Sequence, residues 1–269
     1  MGFSERQALM LEEMGIRVWT RAEVAAPVEA APEPAPAPVQ ARAPAPTPTP
    51  APAPAPRAPA ARPPAIEVVA RGDRPTGTET MDWPALREAV AGCTACGLCQ
   101  GRTQTVFGVG NERAHWMVVG EAPGEQEDRQ GEPFVGKSGQ LLDNMLRALG
   151  LTRDEAGPER QVYIANTVKC RPPGNRNPEP QELSECEPFL MRQIALVQPR
   201  VILAMGRFAV QSLLRSSEPI GRLRGRVHSY QGVPLVVTYH PAYLLRNPED
   251  KGRAWDDLCL AREVLAPEG

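Results

Sequence analysis

Four short apolar runs recur along the chain from residue 116 onward, and amphipathic stretches separate them. The runs cover residues 116–120, 162–168, 201–205 and 234–239, and their apolar residues largely follow one another instead of alternating with polar ones. Continuous runs of this length are typical of strands that are buried on both faces of a sheet. The pattern therefore predicts four buried strands.

Helices are expected around these strands, because apolar residues recur there at helical spacing. The predicted helices begin after Asp82 and after Ser138, and further ones cover residues 183–197, 208–214 and 250–265. Alternating strands and helices are typical of α/β folds with a parallel sheet. We therefore predict a three-layer α/β/α sandwich with a central, mostly parallel four-stranded sheet.

The segment that precedes this part has a different composition. Residues 21–65 hold 15 Pro and 17 Ala among 45 positions, so few side chains there are large enough to form a core. Alternating Ala and Pro favour extended polyproline II structure. We predict a short peptide over residues 1–20, an Ala/Pro-rich disordered tether over residues 21–75, and a globular domain over residues 80–269.

Charge and hydropathy indicate where in the cell the protein is located. The chain is close to neutral, with 30 Lys and Arg against 32 Asp and Glu. No apolar run approaches the roughly 18 residues of a membrane span, and the first residues do not resemble a secretion signal. We expect a cytoplasmic protein without membrane contact. Because cytoplasmic cysteines stay reduced, its six cysteines favour metal or cluster binding over disulfides.

Polar residues follow three of the predicted strands. The acidic, glycine-rich stretch GEAPGEQEDRQGEPFVG (120–136) ends the first strand, Asn166 lies near the end of the second, and His240 follows the fourth. Ligands of open α/β sheets bind beyond the carboxyl ends of the strands. We therefore expect these residues to meet at one edge of the sheet and to form a site.

Four cysteines have the spacing of a metal or cluster site. Cys93 and Cys96 form a C-x2-C pair, and Cys170 and Cys186 lie further along the chain with 15 residues between them. Two close and two distant thiolates can enclose a zinc ion or an iron–sulfur cluster, and spacing alone does not separate the two. Cys99 extends the pair to a C-x2-C-x2-C run and competes as a ligand.

Several long motifs occur in order over the globular part. They are GEAPGEQED (120–128), GEPFVGKSGQLLD (131–143), NTVKCRPPGNRNP (166–178) and HPAYLLR (240–246), together with the cysteines. From about residue 82 to 265 the chain resembles the family 4 uracil-DNA glycosylases, the iron–sulfur branch of the uracil-DNA glycosylase superfamily.

The resemblance implies a cofactor and a reaction. The expected cofactor is a 4Fe-4S cluster on Cys93, Cys96, Cys170 and Cys186, with Cys99 as a neighbour. The expected reaction is excision of uracil from DNA in base excision repair. A related branch carries a basic insert with a histidine and forms a covalent adduct with DNA. Here RPPGNRNP follows Cys170 without that insert, which favours an enzyme that turns over.

Recognition of uracil requires that the nucleotide be flipped out of the duplex into a pocket. By its motif, Phe134 is expected to stack on the flipped base, and Gly120 to line the pocket. The carboxamide of Asn166 offers the donor and acceptor that match the N3–H and O4 edge of uracil and mismatch cytosine. Glu127 is expected near uracil C5, where it would exclude thymine.

Cleavage of the glycosidic bond leaves negative charge on the departing uracil. His240 is the candidate donor to uracil O2, where this charge develops. Glu121 resembles the acidic residue of the family that positions or deprotonates the attacking water. The expected catalytic residues are therefore Glu121, Asn166 and His240.

Contact with DNA is expected to be local, because the globular part is nearly neutral. The segment Tyr243-Leu244-Leu245-Arg246 is predicted to enter the gap that the flipped nucleotide leaves. Phosphate contacts are expected from basic side chains near the site, namely Lys137, Arg171, Arg176, Arg222, Arg224 and Arg226. We expect a nucleoid-associated monomer whose partner is uracil-containing DNA.

The first residues require a separate interpretation. The stretch RQALMLEEMGIRVWTR (6–21) resembles the N-terminal peptide of the psi subunit of the bacterial clamp loader, which docks onto the chi subunit. A frayed amphipathic segment is the alternative. A docking peptide on a long tether would raise the effective concentration of the enzyme near its partner.

Two other classes of function fit parts of the sequence. One is a non-catalytic iron–sulfur module that binds nucleic acid and associates with a DNA polymerase. The intact set of Glu121, Phe134, Asn166 and His240 favours the enzyme over this module. The other is a zinc-dependent hydrolase, which would need His or carboxylate ligands around an open metal position. The three scattered histidines do not provide them.

Overall fold

The computed structural model of the chain describes Gly72 and residues 75–265. The predicted 1–20 peptide, including the 6–21 segment that resembles the psi peptide, lies outside the described residues. So does nearly all of the predicted 21–75 tether. Within the described part, no helix is long and apolar enough to cross a bilayer.

A mixed six-stranded sheet forms the centre of the described part. Its strands are β1 (Val109–Gly110), β2 (Trp116–Gly120), β3 (Tyr163–Asn166), β4 (Val201–Met205), β5 (Val227–Tyr230) and β6 (Val233–Thr238). They lie in the order β1-β3-β2-β4-β6-β5. The four central strands pair in parallel, and the two edge strands pair antiparallel with their neighbours.

The predicted four-stranded sheet was therefore wrong in strand number, although all four predicted strands are present. The two missed strands are the edges. β1 has two residues, which is too short for any periodic signal. β5 is mostly exposed, and only its last residue is buried. Continuous apolar runs mark strands that are covered on both faces, so edge strands escape this criterion.

A two-residue turn joins β5 to β6. Tyr230 pairs with Val233, and the intervening Gln231 and Gly232 have φ angles of 49° and 85°. Two successive positive φ values are typical of a type I′ turn, whose twist matches the twist of paired strands. Glycine adopts the second of these conformations without steric cost. The turn fixes the register of this edge hairpin.

Eight α-helices occur within the described residues. They are α1 (Trp83–Ala91), α2 (Glu125–Gln130), α3 (Lys137–Ala148), α4 (Pro180–Val197), α5 (Arg207–Leu214), α6 (Ile220–Leu223), α7 (Pro241–Arg246) and α8 (Lys251–Leu265). The five predicted helices correspond to α1, α3, α4, α5 and α8. At the start of α1, Oδ1 of Asp82 accepts a hydrogen bond from the Ala85 amide at 3.0 Å, as an N-cap residue should.

Side chains on the two faces of the sheet pack into two separate cores. On one face, Trp116 and Val118 of β2 pack with α3 and α8. On the other face, Met117 and Val119 of the same strand pack with α4 and α5. Alternate residues of a strand point to opposite faces, so β2 contributes to both cores. The three layers correspond to the predicted sandwich.

The order of the strands creates a crevice beyond β2. The chain passes from β2 to β3 on one side, and β4 then lies on the other side of β2. Such a topological switch point, at the carboxyl ends of the strands, is where α/β folds bind their ligands. The loop that begins at Glu121 lies at this point.

Candidate active site

A cleft lies at the carboxyl ends of the central strands. It is lined by Glu121 after β2, Arg207 at the start of α5, and His240 after β6. Its volume of about 1010 Å³ is at the upper end of the range for small-ligand sites, so it has room for a nucleotide. The structure thus brings together two of the predicted catalytic residues, and it adds Arg207, which the sequence did not single out.

Asn166 and Phe134 meet next to Gly120. A Cβ atom placed on Gly120 would lie 2.4 Å from Oδ1 of Asn166 and 2.6 Å from Cζ of Phe134. Because contacts this short are not tolerated, only glycine allows the carboxamide and the ring to approach the end of β2. The three residues that the sequence assigned to base recognition therefore lie side by side.

The carboxamide oxygen of Asn166 is buried without a partner. Asn166 is 2% exposed, and its Oδ1 has no hydrogen-bond partner in the part of the chain that the structure describes. Leaving a buried acceptor unpaired costs about 1–3 kcal/mol. Sites that bind ligands tolerate such a cost, because the ligand supplies the missing donor. Oδ1 of Asn166 therefore lacks a donor among the residues that this structure describes.

Phe134 has a left-handed backbone conformation, with a φ angle of 56°. This conformation is uncommon for a bulky residue and needs support from its surroundings. Arg153 provides that support, because it donates to the main-chain oxygens of Pro133 at 3.1 Å and Phe134 at 2.8 Å. Asp143 in turn accepts from Nε of Arg153 at 2.6 Å. The ion pair therefore supports the aromatic ring in its position beside Gly120 and Asn166.

Arg153 and Asp143 were not recognised from the sequence. Arg153 lies after helix α3, in no motif that resembles the family, and it contacts Phe134 through backbone oxygens. One signal was present: Asp143 ends the motif GEPFVGKSGQLLD, which also contains Phe134. An acidic residue inside a pocket motif suggests a basic partner, but the sequence does not identify which one.

His240 presents a neutral imidazole to the cleft. Its Nδ1 accepts a hydrogen bond from the Ala242 amide at 3.1 Å and so caps helix α7. A neutral imidazole that accepts at Nδ1 carries its proton on Nε2. Burial, together with the nearby Arg246 guanidinium, lowers the pKa of His240 to about 4. At neutral pH the residue is thus an uncharged Nε2–H donor.

Glu121 has the properties of a general base. Burial raises the pKa of its carboxyl to about 7, and the Arg207 guanidinium opposes part of this rise. Its main-chain oxygen is fixed by the Thr167 hydroxyl at 2.5 Å and the Val168 amide at 3.2 Å. A base whose pKa lies near the working pH is efficient at proton transfer.

Glu127 connects two loops that surround the pocket. Its carboxylate accepts from the amides of Gly124 at 3.0 Å, Val135 at 3.0 Å and Gly136 at 3.2 Å. These bonds join the loop after β2 to the loop that carries Phe134. The structure therefore gives Glu127 a bracing role that the sequence did not indicate, and its contact with uracil C5 stays a prediction.

The predicted DNA wedge lies in helix α7, and one of its residues points inward. Leu244 is 1% exposed and packs in a core, whereas Leu245 is 45% exposed. Leu244 therefore cannot insert between bases. The exposed Leu245 replaces it as the proposed wedge residue. Tyr243 donates its hydroxyl hydrogen to Asp250 at 2.7 Å. Arg246 is exposed and lines the cleft.

Three of the predicted phosphate-binding arginines have ion-pair partners, and one of them, Arg171, lies 3.6 Å from Glu125. Arg224 lies 3.0 Å from Asp257, whose side chain is fully buried. A buried carboxylate needs such a partner, so we withdraw Arg224 as a phosphate contact. Arg176 lies 2.6 Å from Glu182 and keeps 38% of its side chain exposed at the cleft. Lys137 is exposed at the start of α3.

A second pocket is lined by five cysteines, and its lining shares no residue with that of the cleft. The cysteines are Cys93, Cys96, Cys99, Cys170 and Cys186. The four predicted ligands thus come together, and Cys99 lies with them. Among the described residues, no three Cys, His, Asp or Glu side chains converge on a single metal ion.

The sulfur atoms of this pocket are partly buried, and two of them accept hydrogen bonds. Burial raises the pKa of Cys96 to about 11 and that of Cys186 to about 12, so stable thiolates need a compensating positive charge. Arg102 donates to Sγ of Cys170 at 3.0 Å, and the Lys169 amide donates to Sγ of Cys186 at 3.2 Å. Hydrogen bonds to ligand sulfurs are typical of iron–sulfur proteins. The donor set fits a cysteine-bound cluster.

Comparison with known proteins identifies the family. The profile of the Uracil DNA glycosylase superfamily matches residues 107–259. The chain is 42% identical over 179 residues to a type-4 uracil-DNA glycosylase of Archaeoglobus fulgidus, an alignment that covers 64% of this chain and 86% of that protein. A type-4 uracil-DNA glycosylase of Pyrobaculum aerophilum is 40% identical over 190 residues, covering 67% and 93% of the two chains.

A third relative gives the same result. The type-4 uracil-DNA glycosylase of Thermotoga maritima is 41% identical over 188 residues, which cover 68% of this chain and 95% of the relative. The site residues Glu121, Phe134, Asn166 and His240 all lie inside the segment that the superfamily profile matches. The chain therefore belongs to the uracil DNA glycosylase superfamily and, within it, to the type-4 uracil-DNA glycosylases.

Proposed function

We propose that the protein removes uracil from DNA by hydrolysing the bond between the base and deoxyribose, as the first step of base excision repair. Membership in the type-4 family supports this activity. The observation that carries the proposal is the buried, unpartnered Oδ1 of Asn166 beside Phe134. A flipped base with an N–H donor would satisfy that oxygen.

Asn166 selects uracil over cytosine in this proposal. Its Oδ1 accepts from N3–H of uracil, and its amide nitrogen donates to O4. Cytosine offers an acceptor at N3 and an amino group at C4, so both contacts would be mismatched. A site with buried polar groups rejects such a base strongly, because its own groups are left unpaired. Phe134 stacks on the base and holds it against this edge.

His240 acts on the departing uracil, and Glu121 acts on the attacking water. As the glycosidic bond breaks, the electron pair leaves with uracil, and the neutral Nε2–H of His240 donates to O2 where the charge develops. Glu121 takes a proton from a water molecule, whose oxygen forms the new bond to C1′. The products are a uracil anion, which is protonated in solvent, and an abasic site.

The cofactor that fits the second pocket is a 4Fe-4S cluster. Cys93, Cys96, Cys170 and Cys186 would hold it, because all four line this pocket. When bound, the cluster supplies a rigid connection between segments that are distant in sequence. Lys169 and Arg102 hydrogen-bond two of the sulfurs and would orient them.

The DNA duplex would lie over helix α7 and the mouth of the cleft. Leu245 would fill the gap that the flipped nucleotide leaves, as apolar wedges do in DNA-bending proteins. Arg246, Arg176 and Lys137 would contact phosphates, which positions the duplex without selecting a sequence. Binding of residues 6–21 to the clamp-loader chi subunit and a monomeric state stay predictions.

The test is incubation of the purified protein with a uracil-containing oligonucleotide, followed by alkali. We expect abasic sites that break only after alkali, with no metal added to the reaction. Asn166→Ala should lower the rate at least about 100-fold, because it removes both polar contacts to the base. Asn144→Ala, on the polar side of α3, is the matched control and should keep the rate.

The same assay separates the enzyme from a non-catalytic iron–sulfur module that binds nucleic acid. Such a module would retain the oligonucleotide in a binding assay but leave every uracil in place. Intact uracil after prolonged incubation with the iron-loaded protein, or strand breaks before alkali, would refute the proposed function.

A further inference from the structure

Lys169 lies between the cysteine pocket and the strand end that carries Asn166. It is 1% exposed, and its Nζ donates to the main-chain oxygen of Asn166 at 2.8 Å and to Oε1 of Gln193 at 2.6 Å. Its own amide donates to Sγ of Cys186 at 3.2 Å, and Cys170 follows it in sequence. One buried residue therefore contacts both functional centres.

The charge of this buried side chain needs compensation. An ammonium group without an opposite charge is costly to bury. No carboxylate in the described part of the chain forms an ion pair with Lys169, and its two oxygen acceptors are neutral. Lys169 lines the cysteine pocket together with Cys170 and Cys186. Cluster-bound sulfur, which is anionic, would supply the missing negative charge.

A second buried residue keeps the ammonium in place. Gln193 is fully buried, and its Nε2 donates to the Phe107 main-chain oxygen at 2.9 Å and to the Tyr163 hydroxyl at 3.1 Å. Tyr163 begins β3, and Asn166 ends it. The network therefore holds the strand at both ends, and the Lys169 ammonium fixes the end that carries the carboxamide.

We propose that Lys169 is a positioning residue for uracil recognition. Its ammonium, neutralised by the cysteine centre, holds the main chain of Asn166 so that the unpartnered Oδ1 points at the flipped base. The inference rests on the proposed function, and it adds that the cluster acts on base recognition through one side chain. Loss of the ammonium should then weaken contact with the base while contact with DNA phosphates is unchanged.

The test measures binding of the full-length, iron-loaded protein to two oligonucleotide duplexes. One contains a 2′-fluoroarabino-uridine, which resists hydrolysis, and the other contains a tetrahydrofuran abasic site at the same position. Lys169→Met, which keeps the length of the side chain, should weaken binding to the uridine duplex about 10- to 100-fold, the loss expected for a charged hydrogen bond. Binding to the abasic duplex should change less than about twofold.

Two further variants separate positioning from general stability. Tyr163→Phe removes a hydroxyl from the same buried network without touching the ammonium, so the preference for uridine over the abasic site should stay within about twofold of the wild type. Gln193→Leu removes one of the two acceptors of the ammonium and should reduce that preference about threefold or more. If Lys169→Met does not fold, Gln193→Leu decides the question.

The outcomes distinguish this inference from the proposed function. Iron content and visible absorbance are measured on every variant, and Lys169→Met is expected to retain both. A folded Lys169→Met that keeps the wild-type preference for uridine overturns the inference, and so does one that loses its iron, because Lys169 would then serve only the cluster. A wild-type protein without any preference for uridine would instead contradict the proposed function itself.

Discussion

The imidazole of His240 stacks on the ring of Phe134, with ring centroids 5.3 Å apart and an angle of 27° between the ring planes. This contact joins the residue proposed to stabilise the leaving group to the residue proposed to hold the base. His240 caps α7, and Phe134 precedes α3. Because the two rings pack together, a shift of either loop would move both groups relative to the bound uracil.

The rate of excision is expected to rise with pH up to about 7 and then to level off. Glu121 acts as a base only when deprotonated, and burial raises its pKa to about 7. Glu121→Gln should lower the rate by about 10²- to 10⁴-fold and abolish this pH step. Single-turnover rates over a pH series test the point, with Glu125→Gln, at the start of α2, as the control. A Glu121→Gln variant with the wild-type pH profile would exclude this residue as the base.

Acid is expected to destabilise the protein through His240. Its pKa is about 4 in the folded chain against an ordinary value of 6.5, so between these values the unfolded chain binds more protons. Stability therefore falls as the pH drops through this window. His240→Asn keeps an acceptor for the Ala242 amide and removes the titration. Urea unfolding at two pH values on either side of 6.5 should show a smaller loss for this variant.

The histidine control for that experiment is His115→Gln. His115 does not line the cleft, and the acid-induced loss of stability in this variant should resemble that of the wild type. Equal losses for wild type and His240→Asn would show that His240 is not the group that titrates.

Arg153→Met is expected to impair base recognition without unfolding the domain. The substitution removes two hydrogen bonds that hold the left-handed backbone at Phe134, so the ring should lose its fixed position. We expect KM for a uracil-containing duplex to rise roughly tenfold, a loss typical of two neutral-acceptor hydrogen bonds. Arg147→Met, one turn from Asp143 on the same helix, is the control. An unchanged KM for Arg153→Met would mean that Phe134 keeps its conformation unaided.

Cys186→Ser and Cys99→Ser are expected to differ in iron content. With all four proposed ligands present, the purified protein should contain about four irons per chain. Cys186→Ser should lose iron and visible absorbance, whereas Cys99→Ser should keep both, although both cysteines line the same pocket. Iron analysis of the two variants provides the measurement. If Cys99→Ser loses its iron and visible absorbance while Cys93→Ser keeps both, Cys99 is a ligand and Cys93 is not.

Leu245→Ala is expected to slow excision from double-stranded DNA more than from single-stranded DNA. Leu245 is 45% exposed, and a wedge is needed only where a base must leave a stacked duplex. The rate on double-stranded DNA, divided by the rate on single-stranded DNA, should fall several-fold. Met191→Ala, which removes another exposed apolar side chain (39%), should leave the ratio unchanged. A similar ratio for both variants would argue against the wedge.

The central strands were predictable because a strand that is buried on both faces has a continuous apolar run in the sequence. β2 and β4 have the predicted bounds, since both are covered on two faces. The carboxyl ends of parallel strands share one edge of the sheet, so Gly120, Asn166 and His240 could be assigned to one site. Neither inference needed long-range contacts.

The remaining features depend on contacts that local sequence does not specify. The rotation of α7 decides that Leu244 is buried and Leu245 exposed, and that rotation follows from packing in the core. Arg224 forms an ion pair with Asp257, which lies 33 residues later in the chain. Among several arginines near the site, the sequence offers no signal for which ones already have a carboxylate partner.

The short edges of the sheet have a consequence for the behaviour of the protein in solution. β1 has two residues and β5 has four. A tight turn connects β5 to β6, and the two strands pair as a hairpin. Long free edges invite strand addition from another molecule and lead to aggregation. Few backbone N–H and C=O groups here are open to such pairing. Even without the proposed cluster, the protein should therefore resist amyloid-like assembly through the sheet.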